Sequence, residues 1–247
     1  MRKKLVVISG VGKGFGRQLI KALSVDYHVL GISRTKSDLD TLWMELGEDN
    51  SSVNLLCADV ANFDDIADQL RAELEILSLP VYGLINNAGV RCRKAFTELS
   101  AQDFIDVANV NLFAAINLAA VVLPSMLTAK EGRIINISSI LSQSALPELS
   151  AYAVSKGGMD AFTRSLAVEY GDHNIAVNSI LPGFCKTSYY PNFSQKSDLL
   201  KMTIERTPMS RWGEDDELIG LTRFLLSESA AYVSGASIPI DGGWLAQ

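Results

Sequence analysis

Short apolar runs rich in β-branched residues alternate along the chain with longer stretches whose apolar residues recur at helical spacing. The runs predict strands at Leu5–Ser9, His28–Ser33, Val53–Ala58, Tyr82–Asn86, Arg133–Ser138, Ala176–Leu181 and Ser237–Ile240. The stretches between them predict helices over 15–25, 36–47, 63–77, 101–128, 150–171 and 215–227. The first six strands show little in–out alternation, as strands covered on both faces do. Asp64 and Asp65 suit a first helical turn, and Ser100 suits an N-cap ahead of Asp103. This rhythm predicts an α/β fold: a doubly wound, mainly parallel, seven-stranded sheet with helices on both faces. No Pro/Ser/Gly-rich linker or internal repeat interrupts it, so one domain over 1–247 is expected.

Composition narrows the function classes. Of 247 residues, 48% are hydrophobic and 20% charged, which excludes disorder and supports a packed core without staples. A net charge of −6 gives no global pull toward nucleic acid or an anionic membrane. Cys57, Cys92 and Cys185 form no Cys-x-x-Cys, and His28 and His173 lie far apart, so a disulfide framework or a Cys/His metal centre is not expected. The basic start before Leu5 mimics a signal peptide, but Gly10, Gly12, Lys13 and Gly14 break the apolar run. Val107 to Ala129 carries no charge and is long enough to cross a bilayer. Asn109, Asn111, Asn117 and Pro124 interrupt it, so it reads as a buried helix and the protein as cytoplasmic.

The first strand runs into Gly10-Val11-Gly12-Lys13-Gly14-Phe15-Gly16 and then a helix. The spacing Gly10-x-x-x-Gly14-x-Gly16 is not the common G-x-G-x-x-G. Its place still suits a strand turning into a helix whose free N–H groups face a pyrophosphate, with glycines admitting the phosphate to the backbone. At the tip of the second strand, an acidic residue would bind the ribose 2′-OH of NAD(H). The chain has Ser33-Arg34-Thr35 there. Arg34, with Lys13 nearby, can pair with a 2′-phosphate, so NADP(H) is favoured and NAD(H) is the alternative.

Tyr152 and Lys156 are four residues apart, on one helix face. Ser139 stands upstream at the C-terminal end of a predicted strand, where open α/β sheets bind ligands. Asn111 lies inside the charge-free run, where a buried amide needs hydrogen-bond partners.

With these residues in order, the sequence resembles the short-chain dehydrogenase/reductase family. The resemblance extends to Asp59-Val60, Asn86-Asn87-Ala88-Gly89, Asn178, Pro182-Gly183 with Thr187, and Asp241-Gly242-Gly243. It implies a Rossmann-type fold whose cofactor part is mainly 1–135 and whose catalytic and substrate part is mainly 136–247. It implies carbonyl–alcohol interconversion by hydride transfer. Tyr152 would be the general acid and base, Lys156 would lower its pKa and hold the nicotinamide ribose, and Ser139 would hold the substrate oxygen. Asn111 would anchor a water that relays protons to Lys156. Asp59 and Val60 would lie along the adenine, Asn87, Ala88 and Gly89 along the cofactor, and Pro182, Gly183 and Thr187 at the nicotinamide. Phe15 and Gly12 depart from the family's usual glycine loop, and Phe15 borders the expected cofactor.

Substrate choice is expected in a lid over 184–212, whose Phe184, Tyr189, Tyr190, Phe193, Met202, Met209 and Trp212 suggest a partly apolar substrate, with Trp244 closing the pocket. Arg91, Arg93 and Lys94 form a basic run that could attract an anion or instead stay solvated. The segment from Pro208 to Glu214 is similar to 3-oxoacyl-carrier-protein reductases, which brings in a carrier-linked ketone, with Lys130 and Arg133 as the cations available. The expected partner is a small ketone or secondary alcohol. Family members pair through helices here placed at 101–128 and 150–171, so a homodimer or homotetramer is expected. An S-adenosylmethionine methyltransferase would leave Ser139, Tyr152 and Lys156 unexplained. A non-catalytic NADP-binding regulatory protein is the remaining alternative.

Overall fold

The structure is a computed structural model and describes residues 3–47, 50–195 and 197–247, so Met1 and Arg2 of the basic start lie outside the described residues. The chain runs β1 (Leu5–Ser9), α1 (Gly14–Leu23), β2 (His28–Ser33), α2 (Lys36–Leu46), β3 (Val53–Cys57), α3 (Phe63–Leu77) and β4 (Val81–Asn86). It continues through α4 (Ala101–Ala108), α5 (Ala114–Ala129), β5 (Gly132–Ile137), α6 (Ser150–Tyr170) and β6 (Ile175–Pro182). It ends with β7 (Cys185–Lys186), α7 (Tyr190–Ser194), α8 (Ser197–Glu205), β8 (Gly213–Glu214), α9 (Leu218–Leu226) and β9 (Ser237–Ile240).

Alternation along β1 divides the interior. Leu5 and Val7 pack into a layer with α3, α5 and α6, while Val6 and Ile8 pack into a layer with α1, α2 and α9. Both faces of the strand are thus covered, which is why its sequence reads as an unbroken apolar run. Burying each such side chain contributes about 1.5–3 kcal/mol. The strands form a seven-stranded sheet in the order β3-β2-β1-β4-β5-β6-β9, with every pairing parallel. Each predicted strand is present. The chain leaves β1 toward β2 on one side and returns to β4 on the other, so a crevice opens at the carboxyl ends of β1 and β4.

Two regions differ from expectation. The helix predicted over 101–128 is interrupted by a wider, π-type turn at Asn109–Phe113 between α4 and α5. Its start is as predicted: Ser100 accepts from the Asp103 N–H, and the Asp103 carboxylate accepts from the Ser100 N–H. The run long enough to cross a bilayer packs over the sheet, burying Leu118, Val122 and Met126. The segment over 184–212, expected as a lid, carries α7, α8 and β7, which pairs with β8 just beyond it. Its aromatic residues other than Tyr189 pack on one another: the Trp212 ring lies 4.8 Å from Phe193 and 5.3 Å from Phe184, and Phe184 lies 4.9 Å from Trp244. Their apolar area is spent in this cluster, and the residues of the segment that face the crevice are Cys185, Thr187, Ser188 and Tyr189.

Candidate active site

The ends of β1 and β4 are bound to each other. Ser9 Oγ accepts from the N–H groups of Asn87 and Ala88, each at 3.1 Å, and Asn87 Nδ2 donates to the Gly10 carbonyl at 2.9 Å. Gly10 has φ +76°, and a Cβ there would lie 2.8 Å from Ala88 Cα. A Cβ on Gly16 would overlap the Gly10 carbonyl oxygen and sit 2.6 Å from Asn87 Nδ2. Gly16 is not among the residues that line the crevice; its lack of a side chain lets α1 start against the loop.

A cleft of about 510 Å³ runs along these carboxyl ends. Gly10, Lys13, Gly14 and Phe15 line it from the glycine loop, Ser33 and Arg34 from the tip of β2, and Asp59 and Val60 from the end of β3. Asn87, Ala88 and Gly89 line it after β4, and Pro182, Gly183 and Thr187 after β6. Ser139, Tyr152 and Lys156 form the wall at the other end. The sequence reading missed Asp38 and Ser188, which also line it, as does Tyr189 from the expected lid. Asp38 lies on the first turn of α2, and its carboxylate stands 3.6 Å from Lys13 Nζ. The start of a helix that follows the second strand was the available signal.

Tyr152 enters on the first turn of α6, and its side chain is buried. Burial by itself would raise the phenol. The Arg91 guanidinium, then the Lys156 ammonium and a hydrogen bond with Ser139, outweigh it and bring the phenol below its ordinary value. Lys156 is 3% exposed, and its Nζ donates to the Ile137 carbonyl at 2.6 Å. Burial lowers this ammonium, with Tyr152 opposing the shift and Arg91 adding to it. Ser139 Oγ accepts from the Leu141 N–H at 3.1 Å, which leaves its hydroxyl proton to donate elsewhere. Burial pushes the Cys185 thiol up to about 12, which disfavours its thiolate.

Asn111 does not line the cleft. Fully buried in the turn between α4 and α5, it donates to the Val90 carbonyl and Ser155 Oγ and accepts from the Val90 N–H. Its side chain thus braces the wall from behind. Of the two cations expected to offer a carrier surface, Arg133 is 1% exposed and donates to the carbonyls of Gly132 and Asn174. It presents no charge to a docking protein. The basic run after β4 separates in the same way: Arg93 pairs with Glu148 at 2.7 Å and Lys94 with Asp103 at 2.6 Å, whereas Arg91 lines the cleft.

Comparison with known proteins agrees with this geometry. The chain is 33% identical over 241 residues to L-xylulose reductase from Mesocricetus auratus, covering 97% of this chain and 95% of the relative. A gluconate 5-dehydrogenase from Burkholderia cenocepacia, solved in complex with NADP and tartrate, superposes with a TM-score of 0.93 at 27% identity, covering 100% of this chain and 97% of that one. A 4-hydroxyisoleucine dehydrogenase solved with NADH superposes with a TM-score of 0.92 at 30% identity, covering 99% of each chain. The sequence profile described as short chain dehydrogenase matches residues 4–198, and the chain belongs to that family of oxidoreductases.

Proposed function

We propose that this chain interconverts a ketone and a secondary alcohol on a small hydroxylated substrate, using NADP(H). The observation that carries the reading is one cleft with Ser139, Tyr152 and Lys156 at one end and Arg34 at the other, joined along the glycine loop at Gly10 and Gly14. Bare backbone at Gly10 and Gly14 leads along the cleft to the Arg34 guanidinium, a lining that fits the phosphates of a dinucleotide. Arg34 and the glycine loop would hold its phosphates, and Asp59 and Val60 its adenine end. The bound cofactor supplies the hydride.

The protein moves the proton. Tyr152 gives it to the substrate oxygen in reduction and takes it back in oxidation. The Ser139 hydroxyl donates to that oxygen as charge develops on it. Lys156 favours the phenolate form, and Asn111 keeps the wall in register through Val90 and Ser155. In this reading Asn111 is a positioning residue.

The xylulose and gluconate enzymes among the relatives support a hydroxylated ketone over a carrier-linked acyl chain, as does the polar lining at Ser139, Thr187 and Ser188. A second reading, NAD(H) in place of NADP(H), is favoured by Asp38, whose carboxylate can accept from a ribose hydroxyl. We also propose that two copies pair through α4, α5 and α6, where Ile105, Ile116, Val154 and Val168 are exposed.

The test is a panel of ketoses and keto-sugar acids with NADPH and NADH, followed by nicotinamide absorbance. Turnover that Tyr152→Phe reduces at least a hundredfold, with cofactor binding retained, supports the reading. Cofactor binding without turnover of any ketone or alcohol would leave a regulatory protein.

A further inference from the structure

We infer that Arg91 selects the substrate, holding a carboxylate a few bonds from the reacting carbonyl. The inference rests on the oxidoreductase reading above and names the substrate class for that site.

Arg91 is separated from its neighbours by what it faces. Arg93 and Lys94 are neutralised by Glu148 and Asp103. Arg91 makes no ion pair among the described residues and turns into the cleft. Its guanidinium carbon lies 5.2 Å from the Tyr152 ring centroid and 5.0 Å from that of Tyr189. The group is thus held between the catalytic helix and the segment after β6. One N–H of the guanidinium reaches the Tyr152 phenol, and the ring contacts use its charge; the remaining donors of its fork are open to a carboxylate. The backbone that carries it is fixed, because Asn111 bonds both the N–H and the carbonyl of Val90.

Charge along the cleft points the same way. Its carboxylates, Asp38 and Asp59, stand with Lys13 and Arg34. At the reacting end the charged groups that line it are Lys156 and Arg91. An anion beside the substrate carbonyl is what this end lacks. Pairing would also offset the pull of Arg91 on the Tyr152 phenol, so an anionic ketone returns to the phenol the proton that reduction needs.

The test uses a matched pair of ketones, 3-oxobutanoate and its uncharged methyl ester, with wild type, Arg91→Gln and Arg91→Lys. The wild type is expected to prefer the carboxylate at least tenfold in kcat/KM. Arg91→Gln is expected to collapse that ratio at least tenfold, mainly through KM, and Arg91→Lys to recover part of it. A wild-type ratio near one, or a ratio unchanged in Arg91→Gln, overturns the assignment while leaving the oxidoreductase reading in place. Calorimetric titration of malonate into the cofactor-loaded protein separates the remaining cases. Binding to wild type that weakens at least tenfold in Arg91→Gln, with cofactor affinity kept, supports the anion site even where no ketone is turned over. Equal malonate binding by both proteins, or an equal loss of cofactor affinity, overturns it by assigning Arg91 elsewhere.

Discussion

Asn111 grips Val90 from both sides, accepting its N–H at 2.7 Å and donating to its carbonyl at 2.9 Å, while the same amide reaches Ser155 Oγ at 3.0 Å. The amide is fully buried, so no water replaces these bonds when they are lost. Asn111→Leu is expected to cost about 1–3 kcal/mol of stability, the penalty for a polar group left unsatisfied in the interior. A fall in the urea midpoint with unchanged slope would show it, together with a lower kcat as the wall carrying Arg91 and Ser155 shifts. An unchanged midpoint would mean that the turn does not depend on this amide.

Tyr152 links electrostatics to direction. Reduction consumes the phenol proton, so its rate is expected to fall as pH rises through the lowered Tyr152 value. Oxidation needs the phenolate and is expected to rise over the same interval. A positive charge favours phenolate, so removing one raises the value. Arg91 and then Lys156 are the cations that lower it, and Arg91→Gln is expected to move both profiles to higher pH. The profile of kcat/KM on an uncharged ketone decides this, and a shift to lower pH would contradict the electrostatic account.

The fold was legible because its pattern is local. An unbroken apolar run such as Leu5–Ser9 has few alternatives to a strand covered on both faces, and its residues divide between two helical layers. Ser139, Tyr152 and Lys156 were legible through spacing and position. The use of the aromatic residues from Phe184 to Trp212 was not, because a stacked cluster and an open apolar pocket share one composition. Nor could the run Arg91, Arg93, Lys94 be divided in advance. Its partners Glu148 and Asp103 lie on separate segments, and only tertiary contacts show which cation is left facing the cleft. Gly16 was legible as a required glycine, but the reason differs from phosphate approach. The contact that excludes a side chain is the backbone of Gly10.

That contact gives a paired prediction. Gly16→Ala places a Cβ against the Gly10 carbonyl oxygen and Asn87 Nδ2, so the loop must move away from β4. Cofactor affinity is expected to fall at least tenfold, with stability also reduced. Gly220→Ala lies on α9 with nothing within 4 Å of its Cβ. It is expected to stabilise by about 0.5–1 kcal/mol, because glycine in a helix interior costs that much relative to alanine. Thermal unfolding and cofactor titration of both variants would check the contrast. Equal behaviour would remove the packing argument for Gly16.

Arg34 and Asp38 make opposing demands on the cofactor. Arg34 is exposed at the tip of β2, lines the cleft and makes no ion pair among the described residues, so its full charge is available to a 2′-phosphate. Lys13 is less available, since its ammonium stands 3.6 Å from the Asp38 carboxylate. Arg34→Ala is therefore expected to raise KM for NADPH at least tenfold while changing that for NADH by less than threefold, and Lys13→Ala to have the smaller effect. Asp38→Asn removes a negative charge beside the phosphate position and releases Lys13. It is expected to lower KM for NADPH and raise that for NADH, because a carboxylate that could accept from the ribose hydroxyl is lost. Arg34 is exposed and Asp38 is half-buried, so both effects are expected to shrink, the first more than the second, as salt is raised from 0.05 M to about 0.5 M, where screening shortens to a few ångströms. Cofactor KM values for the three variants at two salt concentrations decide the matter. Equal losses for the two cofactors in Arg34→Ala would mean that the guanidinium does not read the 2′ position.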